Sequence, residues 1–182
     1  MQGAVNIIRK DTSKLKKSPN LLNYEKTYRT FSWKKADQEI DYVRDGTLNA
    51  AHNAIDRRIE TKRKNKVALF FEGQNGNKEK YTFYDLHKLT NKFANVLKKY
   101  EVKKGDRVFI FLPTVPERYI AFLGTLKIGA IAGTLFSAFQ EIALMDRLSD
   151  SGAKILITNS VLFPRIEKVW KKVEGEARTG GK

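Results

Sequence analysis

The chain has 182 residues, of which 41% are hydrophobic and 11% aromatic, enough apolar surface for a core and too much for an intrinsically disordered chain. It has no cysteine, which excludes a disulfide scaffold, a thiolate zinc site and a cysteine nucleophile, and its two histidines, His52 and His87, are too far apart to suggest an all-histidine metal site. Lys and Arg number 35 against 20 acids, a formal charge of +15, and that surplus excludes an acidic solvating chain while inviting polyanions.

Residues 1–20 are polar, basic and aperiodic, ending in Ser18-Pro19-Asn20, and residues 1–22 read as a basic tail. Between 24 and 42, Tyr24, Tyr28, Phe31, Trp33 and Tyr42 punctuate charged residues, as in short helices lying on a larger body. Asp45-Gly46 is a turn signal. Leu48, Ala51, Ile55 and Ile59 recur at three- and four-residue steps and predict one helix over 48–64, with Arg57, Arg58, Lys62, Arg63 and Lys64 crowding its end, where the helix dipole favours cations. Residues 67–71 (VALFF) predict a strand, Gln74-Asn75-Gly76-Asn77 a hairpin-type turn, and residues 80–83 the returning strand. Thr82 with Asp85 forms a capping-box pattern opening a helix over 83–100, whose apolar stripe is Leu86, Leu89, Phe93, Leu97 and Tyr100.

From Lys103 onward the pattern becomes regular. Strands are predicted over 107–112, 130–136 and 154–158, and helices over 116–128, 139–150 and 161–173. Thr114 with Glu117 and Ser137 with Gln140 read as caps, and Gly129 and Ser151-Gly152 as stops. Residues 119–139 carry one charge, Lys127, over nearly a membrane-spanning length, but the cap, the Pro near the helix start and the Gly129 stop divide them into a helix and a strand. No secretory signal pattern opens the chain. Strand and helix alternating three times, with strands apolar throughout, predict an α/β fold: a three-layer, mostly parallel sheet with flanking helices, preceded by a helical leader and a hairpin. Ligands of such sheets bind at the loops after the strands, here 113–116, 136–139 and 159–160.

The chemistry visible in the residues alone is sparse. There is no G-x-x-x-x-G-K-[ST] and no G-x-G-x-x-G after a strand. Gly124, Gly129 and Gly133 fit close packing, and Gly175, Gly180 and Gly181 a frayed tail. His52 and His87 fall on helix faces as ordinary half-buried or surface residues, and Asp146 and Asp150, four apart on one predicted helix, read as a solvated face with Arg147 nearby, a carboxylate pair being the alternative. The aromatic residues 24–42 suit anchoring of a peripheral segment, with base stacking as the alternative. Residues 1–104 hold 24 bases and 12 acids, mostly lysine-rich and on predicted polar helix faces, which is a solvated surface before it is a nucleic-acid footprint.

The wording of certain segments adds more. Lys104-Gly105-Asp106-Arg107-Val108 followed by Phe111-Leu112-Pro113 and Pro116-Glu117 resembles the "KGDRV…P..PE" block of the AMP-forming acyl-CoA synthetases. Residues 49–57 (NAAHNAIDR) resemble the "N.AY..lDRH" segment of their acetyl-CoA synthetase members. Tyr81-Thr82-Phe83 with Asp85-Leu86, and Asn91 with Phe93-Ala94-Asn95 and Leu97, are similar to "YTY.EL" and "N.FAN.L". Lys127 to Ile131 and Arg147 to Lys154 are similar to "a.iGAi" and "RL.D..AK", and Asn23-Tyr24-Glu25, Thr27-Tyr28, Phe31 and Trp33 to the leader of bacterial acetate–CoA ligases. The likeness runs from about residue 20 to residue 158.

This resemblance implies the opening part of an AMP-forming acetate–CoA ligase: 1–22 a tail, 23–174 part of its large N-terminal domain, 175–182 a disordered tail. The family makes acyl-CoA in two steps. A carboxylate attacks the α-phosphate of ATP to give acyl-AMP, and the CoA thiol then displaces AMP. ATP, CoA and Mg²⁺ serve the complete enzyme, none being expected to bind tightly to this chain, since the family's "TSGSTGxPKG" loop, hinge and catalytic Lys have no counterpart in it. No catalytic residue and no metal ligand is therefore assigned. The resemblance places Phe136, Ser137 and Ala138, aligned with a "FGGF" or "FEAF" turn, and Arg165 at the border of the CoA nucleotide site; Ser137 and Ala138 stand where many members carry glycine, and a plain surface cation is the alternative reading of Arg165. It implies a cytoplasmic protein acting on small-molecule substrates, without a membrane and without nucleic acid. Two alternatives remain: a basic nucleic-acid-binding α/β module, and a noncatalytic split subunit that pairs with a partner or self-associates through exposed apolar surface or incomplete sheet edges.

Overall fold

The computed structural model describes residues 11–43 and 45–170, and the chain divides after Ile40 into two compact units. The predicted end of the last helix, residues 171–173, and the tail 175–182 lie outside the described residues.

The first unit holds a 3-10 turn, Thr12–Lys14, and two short helices, α1 (Tyr24–Thr30) and α2 (Trp33–Asp37). Each helix starts on a side-chain cap: Asn23 Oδ1 accepts from the Lys26 amide at 2.9 Å and Ser32 Oγ from the Lys35 amide at 3.3 Å. Neither helix buries a residue. Their aromatics pair with one another, Tyr24 stacking on Tyr28 and Phe31 meeting Trp33 edge-on at 5.3 Å.

In the second unit the predicted helix over 48–64 is shorter than its periodicity suggests. Helix α3 (Ala50–Ala54) is followed by a separate 3-10 turn, Asp56–Arg58. The break falls at the buried Ile55, beyond which the Asp56 carboxylate turns onto side chains of the next two long helices, described below. That polar attraction overrides the helical spacing. The hairpin follows as expected: β1 (Val67–Glu72) pairs antiparallel with β2 (Lys78–Thr82), Phe71 opposite Glu79, and Gly76 takes the positive φ that the turn requires. Thr82 then forms a complete capping box with Asp85 and opens α4 (Phe83–Lys99).

The remaining elements are β3 (Arg107–Phe111), α5 (Pro116–Lys127), β4 (Ile131–Thr134), α6 (Glu141–Ser151), β5 (Ile155–Thr158) and α7, helical over residues 163–170. The three strands form a parallel sheet in the order β4-β3-β5. The central strand has two faces to fill. Val108 and Ile110 pack with Leu97 of α4 and Ala121 of α5, while Phe111 and Phe109 pack with Leu144 and Leu148 of α6 and Ile166 and Val169 of α7. Side chains alternate across a strand, so this one pentapeptide joins two cores and makes the three layers. The flanking strands are less buried; Ile131 of β4 is 53% exposed. Two predicted caps are absent. Val115 and Gln140, not Thr114 and Ser137, occupy the N-cap positions of α5 and α6, with no side-chain cap bond. Pro116 stands at the first turn, where its fixed φ and missing N–H suit a helix start, and the Ser137 carbonyl has another partner.

The edge of the sheet where the strands begin is stapled by the motif residues. Asp106 Oδ2 accepts from the Lys103 amide at 2.7 Å and from Lys154 Nζ at 2.6 Å, and Lys154 Nζ also reaches the Glu101 carbonyl. Arg107 lays its guanidinium on the carbonyls of Ser151 and Gly152, the end of α6, at 2.9 to 3.1 Å. The "KGDR" segment thus binds the segment that carries Lys154, fixing the start of β3 against the start of β5. The Lys154 side chain and the Lys103 amide hold the Asp106 carboxyl below its usual range.

Two substitutions test these contacts. Gly→Ala inside a helix ordinarily gains about 1 kcal/mol, and overpacking costs about 1–3 kcal/mol. A Cβ at Gly124 would meet Phe93 Cδ1 at 2.8 Å and the Thr90 carbonyl oxygen at 2.9 Å. Backbone cannot yield as a side-chain tip does, so Gly124→Ala is expected to lower the urea unfolding midpoint. Asp106→Asn is expected to be less stable than the parent near pH 7. With the folded carboxyl depressed, its contribution is complete above the ordinary aspartate value of about 3.9 and is lost as pH falls through the lower folded value, so the two midpoints should converge in strong acid.

Candidate functional site

Strands β4 and β5 flank β3, and the loops that leave their far ends run to α6 and α7 on the same face of the sheet. The loops therefore meet over the end of β3. Phe136, Ser137 and Ala138 follow β4, and Phe139 closes the turn by donating its amide to the Phe136 carbonyl at 2.9 Å. Phe136 is 61% exposed and meets Phe139 edge-on, while the Arg147 guanidinium lies 4.3 Å from the Phe139 ring centre. On the β5 side, Asn159 Oδ1 accepts from the Leu162 amide and the Asn159 carbonyl from the Phe163 amide, both at 2.9 Å, and Pro164 lies in the first turn of α7.

Arg165 is the link between the two loops. Its Nη1 donates to the Ser137 carbonyl at 3.0 Å, across a sequence separation of 28 residues, with both groups partly buried. Phe136, Ser137 and Ala138 on the loop after β4 thus adjoin Arg165 in the first turn of α7, and two of the four are directly bonded. The bond uses the Ser137 carbonyl and not its hydroxyl, and α6 starts at Gln140 without a side-chain cap. Beneath them Thr158 Oγ1, at the end of β5, is buried without a hydrogen-bond partner. The site offers a half-buried guanidinium, an exposed aromatic face and a short run of backbone, a set suited to phosphate and base contacts and lacking any nucleophile or acid–base pair.

A second polar cluster joins the 3-10 turn, α4 and α5. Asp56 Oδ1 lies 2.7 Å from both His87 Nδ1 and Lys127 Nζ. Lys127 Nζ also donates to Asn91 Oδ1 at 2.7 Å, and Asn91 Nδ2 lies 3.0 Å from His87 Nε2. Asn49, the cap of α3, donates to the carbonyls of Leu126 and Lys127. The one-turn spacing of His87 and Asn91 was visible in the sequence; nothing local pointed to Asp56 or Lys127, which are 31 and 36 residues away from their partners. Among the described residues no three His, Asp or Glu side chains converge as metal ligands would, and no helix is long and apolar enough to cross a membrane.

Comparison with known proteins agrees with this architecture. The family model described as "AMP-binding enzyme" matches residues 55–179. The chain belongs to that family. It is 51% identical over 148 residues to the acetyl-coenzyme A synthetase of Bacillus subtilis, covering 81% of this chain and 26% of the relative. It is 44% identical over 133 residues to the 3-hydroxypropionyl-coenzyme A synthetase of Sulfurisphaera tokodaii, covering 72% and 20%. Among solved structures, the acyl-CoA synthetase of Brucella canis superposes with a TM-score of 0.74 at 31% identity, over 80% of this chain and 26% of that one. The chain thus spans about a quarter of the length of its relatives, and the α/β expectation, with its parallel three-stranded sheet and flanking helices, holds.

Arg165→Ala leaves the Ser137 carbonyl without its side-chain donor. One such hydrogen bond is worth about 0.5–1.5 kcal/mol, and the expected result is a loss in that range with faster hydrogen exchange at the Phe139 amide, while amides of β3 keep their protection.

Proposed function

We propose that this chain is part of an AMP-forming acetate–CoA ligase, with residues 23–174 belonging to its large N-terminal domain and Phe136, Ser137, Ala138 and Arg165 lying against CoA. The observation that carries the reading is the AMP-binding enzyme match over residues 55–179. The names of the relatives, which act on short acyl groups, and the acetate-ligase character of the leader favour acetate as the acid.

In the complete enzyme the carboxylate oxygen would attack the α-phosphorus of ATP, releasing pyrophosphate. The CoA sulfur would then attack the acyl carbon as its thiol proton departs, releasing AMP. The residues of this chain would serve the second substrate. The Arg165 guanidinium, already oriented by the Ser137 carbonyl, has donors left over for an anionic oxygen, and the exposed Phe136 ring offers a face for a base. Ser137 and Ala138 carry side chains where a glycine would let the ligand come closer to the backbone, so contact here rests on the arginine and the ring more than on backbone amides. No group of three His, Asp or Glu side chains converges among the described residues, the sequence carries no phosphate-cradling motif, and no adenylation step is assigned to these residues. The setting is a cytoplasmic one. The outer edges of β4 and β5 take no partner strand among the described residues, and Ile131, Ile142, Val161 and Phe163 are exposed, features that favour self-association or pairing with a partner.

The chain is expected to show no ATP–pyrophosphate exchange with acetate; robust exchange would overturn the reading of a chain without the adenylating machinery. With CoA at about 1 mM, where contacts of this size become measurable, amide signals of Phe136, Ser137 and Ala138 are expected to shift, and Arg165→Glu to abolish the shift. Unchanged signals at these residues, or equal shifts in the variant, would remove them from the CoA site.

A further inference from the structure

We propose that Arg147 of α6 is a second phosphate-binding arginine, acting with Arg165 on a ligand that carries more than one phosphate group. The proposal deepens the CoA reading and rests on it, since CoA bears both a pyrophosphate and a ribose phosphate.

The first observation is where the side chain points. Side chains on a helix lean back toward its N-terminus. Arg147 follows that rule, its Nη1 donating to the Ala143 carbonyl at 2.9 Å, one turn earlier. The guanidinium carbon thereby lies 4.3 Å from the centre of the Phe139 ring, and Phe139 meets Phe136 edge-on. The turn 136–139 is thus held by two guanidinium groups. Arg165 bonds the backbone carbonyl of its second residue, and Arg147 covers the ring of its fourth.

The second observation is what Arg147 leaves unused. Asp150 stands three residues further along α6, a spacing that suits an ion pair. Yet among the described residues Arg147 takes no carboxylate partner. Glu141, at the start of α6, is drawn instead to Lys168 of α7 at 3.1 Å. Arg147 therefore keeps one aromatic contact and one backbone carbonyl, and it is exposed. A guanidinium lying on a ring retains its in-plane N–H groups, which suit phosphate oxygens. Arg165 likewise spends Nη1 on Ser137 and has other donors to give. Two cations with spare donors at one turn, beside the exposed Phe136 ring, match a ligand with a base and separated phosphates.

A purely structural Arg147 would do no more than prop Phe139, and the test separates the two roles. CoA is titrated into the full chain at low salt, following the amide signals of Phe136, Ser137 and Ala138 in the parent, Arg147→Met and Arg147→Lys. Methionine keeps a flexible apolar stem for Phe139 without the charge, and lysine keeps the charge without the planar fork. Arg147→Met is expected to bind CoA about three- to ten-fold more weakly, the scale of one charge-assisted contact. Arg147→Lys should fall between it and the parent, and added salt should weaken the parent more than Arg147→Met. Equal affinity in the parent and Arg147→Met, or equal weakening in both variants, would overturn the proposal.

Pyrophosphate alone keeps the proposal apart from the CoA reading, and it needs no variant. The Arg147 Nε–H signal of the parent is expected to move with pyrophosphate as well as with CoA. Movement with pyrophosphate but not with CoA would discard the CoA reading and keep Arg147 as a phosphate ligand. CoA shifts at residues 136–138 with a still Arg147 signal would discard Arg147 and keep the CoA reading, and a signal silent toward both ligands refutes the proposal.

Discussion

Strand β3 is bound to satisfy two interiors with five residues. Val108 and Ile110 point to α4 and α5, Phe109 and Phe111 to α6 and α7, and both Ile110 and Phe111 are completely buried. No other described strand is so fully enclosed, and both neighbouring strands take their parallel register from it. Registers one residue out would exchange the two sets of side chains and put phenylalanines where the helix pair α4–α5 approaches most closely. The close fit of Gly124 against Thr90 and Phe93, and the back-bonded hydroxyls of Thr90 and Thr125, belong to that narrow side. The phenylalanines belong to the roomier side, where Leu135, Leu144 and Leu148 meet them.

The two edges of this sheet divide the labour. Where the strands begin, Asp106, Arg107 and Lys154 cross-brace consecutive segments through backbone carbonyls and one ion pair. Where the strands end, Arg165 and the turn after β4 leave a guanidinium and an aromatic face toward solvent. The most recognisable words of the sequence, "KGDRV" among them, thus lie at the edge that holds the fold, opposite the loops that carry the candidate site. A motif can mark a family through architecture alone.

The parallel α/β layout was legible because strand apolarity, helix periodicity and turn glycines agree over residues 103–158. Capping was legible at Thr82 with Asp85, and misread at Ser137, whose spacing suits a cap although α6 starts three residues later at Gln140 and the Ser137 carbonyl bonds Arg165 of α7. The helix over 48–64 was overestimated for a related reason, since periodicity records only the apolar stripe and Asp56 answers to His87 and Lys127. Of the candidate site, the residues were legible from family wording, but their joining through one backbone carbonyl was not, because no spacing rule connects position 137 with position 165.

The contact between Gly133 and Phe109 has a consequence for descent. A Cβ at 133 would fall 2.6 Å from the Phe109 ring, on adjacent strands and paired positions of the ladder. The two sites share one fixed volume, so a relative bearing a side chain at the first must surrender bulk at the second. Substitution at these positions should accordingly proceed in couples, the ring shrinking before or with the arrival of a methyl, and lineages should be sorted by which member of the pair holds the space.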